Sequence, residues 1–171
     1  MSGKRHWYHC SSVDHGQTWV ARMRSPSNAS EKEPSVPRLC VCPTIPACFA
    51  ARLFDRDRDV YVYRTEKPRR AVKPRDVWDQ VITGERWLVP PVTMVRVDVI
   101  DRITNGKINE AIRAYHVITK GKSSCGLRVA QYARAVEVLG GTKRELKIVA
   151  KMRELWEIDD PETYILEKAF A

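Results

Sequence analysis

The chain has 171 residues, 43% of them hydrophobic and 30% charged, with a formal net charge of +9 and a sequence pI near 9.5. This is the balance of a soluble globular domain, or of a small domain with an appended subdomain, and it excludes a disordered tail. No apolar run reaches the roughly 18 residues of a membrane span, and the opening MSGKRHWYHC has no apolar core of a secretory signal. The five cysteines are therefore expected as thiols in a reducing cytoplasm, which their odd number suits.

In chain order, residues 5 to 12 suit a first strand and Thr18 to Met23 a second. The stretch SPSNASEKEPSVP at 25 to 37 is poor in apolar residues and reads as a long loop. Arg38 to Cys42 makes a short strand ending at Pro43, after which Thr44 caps a helix from Ile45 to Phe54 with Pro46 in its first turn. Val60 to Thr65, VYVYRT, alternates as a strand. Thr83-Gly84 reads as a tight turn before Glu85. Leu88 to Ile100 forms a further strand, with Val95, Val97 and Val99 as a buried face opposite Met94, Arg96 and Asp98.

Nine of the ten prolines fall in the first hundred residues, and the rest of the chain reads as helical, which divides it into an α+β part (1–102) and a helical subdomain (103–171). Ile108, Ile112, Tyr115 and Thr119 share one helical face, and Val129, Tyr132, Val136 and Leu139 another, ended by Gly140-Gly141. Thr142 with Glu145 forms a capping box for a third helix with the stripe Leu146, Val149, Met152 and Trp156. Asp160-Pro161 opens a fourth.

HWYHCSS at 6 to 12 gathers two histidines and a thiol. Together with Cys40, Cys42, Cys48 and Cys125 these could ligate zinc, but the paired spacing of a structural site is missing: CVC has one intervening residue and PTIPAC is no second knuckle. Strand alternation sends His9 and Ser11 to one face and Tyr8 and Cys10 to the other, so His9 is not placed to act as base for a Cys10 nucleophile. None of the eight glycines builds a phosphate loop.

The sequence of pieces is more informative. YHCSS on a first strand, then PRLCVCPTIPACFAARLF, VYVYRTEKP and ITGERWLVPPVTMVRV resemble the order of the ADP-ribosyltransferase superfamily, including its RNA 2′-phosphotransferase relatives, over about residues 5 to 100. The resemblance implies an ADP-ribosyltransferase-like split β-sheet fold and the use of NAD. His9 matches the family's first-strand histidine and Ser11 or Ser12 the small hydroxyl after it. Glu85, just before Trp87-Leu88-Val89-Pro90-Pro91, matches the catalytic glutamate.

Cleavage of the nicotinamide bond develops positive charge on the ribose, which a carboxylate opposes while an imidazole holds a ribose hydroxyl. Tyr61, Tyr63 and Trp87 are the candidates for ring stacking, and Arg38 and Arg86 for the pyrophosphate. The sequence departs from the family in Cys10, which replaces a glycine, in Leu39 or Cys40 at the usual stacking aromatic, and in Thr83, where arginine-modifying members carry a second acid.

The acceptor implied is a protein side chain or a nucleic acid, with the basic balance favouring the latter. The rival reading is a non-catalytic regulator or inhibitor that binds nucleic acid or an acidic protein surface through Lys143, Arg144, Lys147 and Lys151. Against both stands a plain solvated basic surface, since cations and acids interleave, as in DRDRD at 55 to 59.

Overall fold

A computed structural model of the chain describes residues 3–22, 38–74, 80–119 and 124–155. Its strands are β1 (Tyr8–Ser11), β2 (Thr18–Ala21), β3 (Leu39–Val41), β4 (Val60–Thr65), β5 (Arg86–Leu88) and β6 (Val92–Ile100). Its helices are α1 (Ile45–Ala51), the single turn α2 (Gln80–Thr83), α3 (Arg102–Thr119), α4 (Ser124–Leu139) and α5 (Lys143–Leu155). The loop expected at 25 to 37, the helix opened by Asp160-Pro161 and the stripe position Trp156 lie outside the described residues.

The fold is α+β, with a four-stranded antiparallel sheet ordered β1-β4-β6-β2 and a two-stranded antiparallel sheet β3-β5. Among the described residues the sheets meet at one bridge, where Tyr8 and Cys42 exchange backbone hydrogen bonds of 2.9 and 2.8 Å. The alternation expected in HWYHCSS holds. Cys10 pairs with Val62 and joins a core of Phe49, Val60, Ile100 and the helices, whereas His9 pairs with Tyr63 on the side of a second core built on Trp7, Leu39, Val41, Leu88 and Met94.

The first core also contains Ile108 of α3, Tyr132 and Val136 of α4, and Val149 of α5. The change from strands to helices falls at Ile100–Arg102 as the sequence indicates, and one apolar core runs across it.

Three expectations are corrected. The valines of β6 do not form a buried face: Val97 and Val99 are each 42% exposed. Tyr63 stands opposite Arg96 but Val62 opposite Asp98, so Val97 is an extra residue and the bulge distributes the valine series over both faces. The helix begun by Thr44, whose Oγ1 accepts from Ala47 N, ends at Ala51 because Arg52 turns extended, although Phe54 still packs edge-on against Phe49 at 5.1 Å. On α5, Leu146 is 53% exposed while Glu145 and Val149 are buried. The capping carboxylate points inward and turns the apolar stripe by one position.

Candidate active site

Continuing the β1–β3 ladder would set Cys10 opposite Cys40, but backbone pairing stops at Tyr8–Cys42. The His9 ring takes the free carbonyl instead, with Nδ1 2.9 Å from Cys40 O. Beside this opening lies a cavity of about 520 Å3, lined by His9, Cys40, Cys48, Arg52, Glu85 and Arg128 among others. His9 and Glu85, far apart in sequence, thus face one cleft. A larger cavity of about 750 Å3 lies between Leu53–Asp57 and α3 and contains none of the nominated residues.

The His9–Cys40 bond fixes a tautomer, because a carbonyl only accepts: Nδ1 carries the proton and Nε2 is left as an acceptor. Burial lowers the His9 pKa against the partial opposition of the Cys40 carbonyl bond, so the ring is neutral at pH 7. A folded pKa below the unfolded one means that this contribution to stability is complete above pH about 6.5 and declines as the pH falls toward the folded value. The ring's far side packs against Trp19 at 5.5 Å, and Trp19 in turn stacks on His15 at 4.1 Å.

Glu85 is set by a turn. Thr83 Oγ1 accepts from Glu85 N at 3.1 Å, and Gly84 at φ +63 stands where a Cβ would come within 3.0 Å of Pro43. The carboxylate accepts from Trp87 Nε1 at 3.3 Å and is hydrogen-bonded to the Cys40 thiol. Although Cys40 reaches the surface, desolvation of its sulfur and then the charge and hydrogen bond of Glu85 push the thiol up to about 12. It therefore stays protonated as a donor. Glu85→Gln is expected to raise the rate at which Cys40 is alkylated by iodoacetamide at pH 8 by about tenfold per unit of pKa released. Peptide-resolved mass spectrometry would read this, and an unchanged rate would refute the Glu85–Cys40 coupling.

Cys10, Cys42 and Cys48 form a buried trio beneath the cavity. Cys10 and Cys42 hydrogen-bond to Cys48, and these bonds, followed by burial, raise both of their pKa values well above the ordinary thiol value. Among the described residues no group of three or more His, Cys, Asp or Glu side chains is placed to hold a metal ion.

Arg128 of α4 donates Nη1 to Ala50 O and Ala51 O, both at 2.7 Å, and so caps the last carbonyls of α1 at the cavity wall. Arg52 comes next along the chain as an exposed cation.

The other nominated residues do not line this cavity. Ser11 Oγ accepts from Val13 N at 3.0 Å and lies 3.3 Å from His15 Nε2. Tyr63 shares His9's face as expected, but its ring is fully buried and offers no face to a ligand; its hydroxyl accepts from His15 N and donates to Asp14, which holds Arg96 at 2.7 Å. Tyr61 is half-buried near Arg96. Trp87 is buried with Arg38 stacked 4.1 Å from its ring centroid, so that face is taken. Arg86 folds back onto its own turn, donating to Glu85 O at 2.7 Å. Lys143, Arg144, Lys147 and Lys151 are all exposed on α5.

Sequence reasoning missed Cys40 as a donor to Glu85 and missed Arg52 and Arg128 altogether. Arg128 carried no signal, because its place depends on α4 packing against α1. No protein-family model, curated protein or solved structure matches the chain.

Proposed function

We propose that the cavity binds an ADP-ribosyl donor of the NAD class and that the chain is an ADP-ribosyltransferase acting on a protein or nucleic-acid acceptor. The observation that carries this reading is the convergence of His9 and Glu85 on one cavity. Two antiparallel sheets joined at one bridge, with the cavity at their opening, support the finer reading of a split-sheet ADP-ribosyltransferase-like fold.

The residues fit such a ligand. The volume lies within the roughly 300–1,000 Å3 of small-molecule sites, and the lining pairs two guanidinium groups with one carboxylate. NAD supplies an N-glycosidic bond whose leaving group, nicotinamide, departs neutral. Neutral His9 accepts a hydrogen bond from a ribose hydroxyl through Nε2, which sets the sugar's orientation. Glu85, held by Trp87 and Cys40, places negative charge against the positive charge that develops on the ribose. Arg52 and Arg128 are the groups for the diphosphate.

The test is nicotinamide release from NAD by the whole chain, together with calorimetric titration of NAD. His9→Ala is expected to lower kcat/KM by about 100-fold, chiefly through KM, with an unchanged circular dichroism spectrum. Absence of both NAD binding and nicotinamide release would overturn the reading. The rival, a non-catalytic regulator, is favoured by the exposure of all four α5 cations. It predicts that charge reversal at Lys143, Arg144 and Lys147 removes function while changes at His9 and Glu85 do nothing.

A further inference from the structure

The segment Glu66–Pro74 comes directly after β4 and belongs to neither sheet, yet it is tied down at both ends. Near its start, Arg69 and Arg5 form a backbone bridge with hydrogen bonds of 3.2 and 2.8 Å, and Trp7 Nε1 donates to Arg69 O at 2.9 Å. Near its end, Val72 and Trp87 exchange backbone bonds of 2.8 and 2.9 Å. Ala71 between them packs on the core that contains Trp7. The segment is thus a strap clamped across two buried tryptophans, and its cations Lys67, Arg69, Arg70 and Lys73 are all exposed.

Each tryptophan carries an arginine on its ring: Arg5 lies 4.3 Å from the Trp7 centroid and Arg38 lies 4.1 Å from that of Trp87. At Arg5, a guanidinium stacked on a ring is oriented before it meets a ligand and keeps edge N–H groups for the forked bonds that phosphate accepts, whereas Arg38 also hydrogen-bonds Cys40. Among the described residues, Lys4, Arg5, Lys67, Arg69, Arg70 and Lys73 form no ion pair. Glu66, at the strap's head, is its one acid. The charges around Arg5 are also positive, since Arg144 crowds it and it crowds Arg86, whereas at the other stack the Glu85 carboxylate accepts from Trp87 Nε1.

A solvated cationic surface leaves its side chains mobile and interleaves them with acids. Here a row of cations is held in register by backbone bridges, with a stacked arginine near each end. The exposed apolar contribution of the strap is Val72, too little to insert into a bilayer.

We propose that this strap, with the Arg5–Trp7 stack at its head, is a docking surface for the phosphodiester backbone of a nucleic acid. It is distinct from Lys147 and Lys151 of α5, although Arg144 of that helix lies near Arg5, and it does not rest on the cavity reading. Contacts of this kind go to phosphates, so binding is indifferent to base sequence and falls steeply with salt.

The test is fluorescence anisotropy with a labelled oligonucleotide of about 30 nucleotides between roughly 50 and 200 mM salt. The charge reversal Arg69→Glu with Arg70→Glu and Lys73→Glu is expected to weaken binding by at least ~30-fold and to flatten the slope of log K against log salt by about 3. Arg5→Lys keeps the charge but breaks a stack, and is expected to lose about threefold to tenfold with a nearly unchanged slope. Thermal melts check folding, and nicotinamide release measured on the same variants separates failure of this surface from failure of the cavity reading. Wild-type affinity and slope in the strap variant, loss confined to Lys147→Glu with Lys151→Glu, or binding to phosphatidylserine vesicles without binding to the oligonucleotide would each overturn the proposal.

Discussion

Glu85→Gln is expected to leave NAD affinity within about threefold of wild type and to cut the rate of nicotinamide release by roughly 10²- to 10³-fold. The amide is isosteric and its oxygen still accepts from Trp87 Nε1, the 3.3 Å bond that orients the native carboxylate. What is lost is the charge, and the charge acts only where positive charge appears on the ribose. An interaction present in the transition state and absent from the ground state lowers kcat and spares KM. Removing one such preorganised group elsewhere raises the barrier by about 2.7–4 kcal/mol. His9→Ala has the opposite signature, since a hydroxyl held in both states contributes mostly to binding. Steady-state kinetics with both variants separate the roles, and a kcat unchanged in Glu85→Gln would remove Glu85 from the chemistry.

The parts legible in the sequence are those set by local rules. Alternation in β1 separates His9 from Cys10 whatever the partner strand, and Thr44 caps α1 because a hydroxyl before a helix satisfies its free N–H groups. The Thr142–Glu145 box is of the same kind. The parts not legible depend on pairing across long separations. The bulge at Val97 exists only against β4, so the valine alternation in β6 misleads. Cys40 meets Glu85 because β3 and β5 pair in a register that places Cys40 opposite Trp87. His6, half of the histidine pair that invites a metal reading, instead sets Nδ1 2.8 Å from Thr65 O.

Glu145→Ala is expected to destabilise the fold by roughly 3–4 kcal/mol, lowering Tm by about 8–15 °C. Glu145 is 4% exposed and serves three elements. Oε2 accepts from Thr142 N at 2.9 Å and starts α5; Oε1 accepts from the hydroxyl of Thr44, the cap of α1, and from Tyr132 Oη of α4 at 3.4 Å. Alanine removes a capping box worth about 1 kcal/mol. It also leaves two hydroxyls without their acceptor, at about 1–3 kcal/mol for a buried donor. Glu145→Gln keeps an acceptor for the box and is expected to lose only about 1 kcal/mol. The consequence reaches the cavity, because α1 begins at the Thr44 cap and carries Cys48 before ending at the cavity wall beside Arg52. NAD affinity should therefore fall in Glu145→Ala at temperatures well below its Tm and return in Glu145→Gln. A melting curve that matches wild type would mean that Thr44 and Tyr132 find other acceptors, and that α1 is held by its apolar face alone.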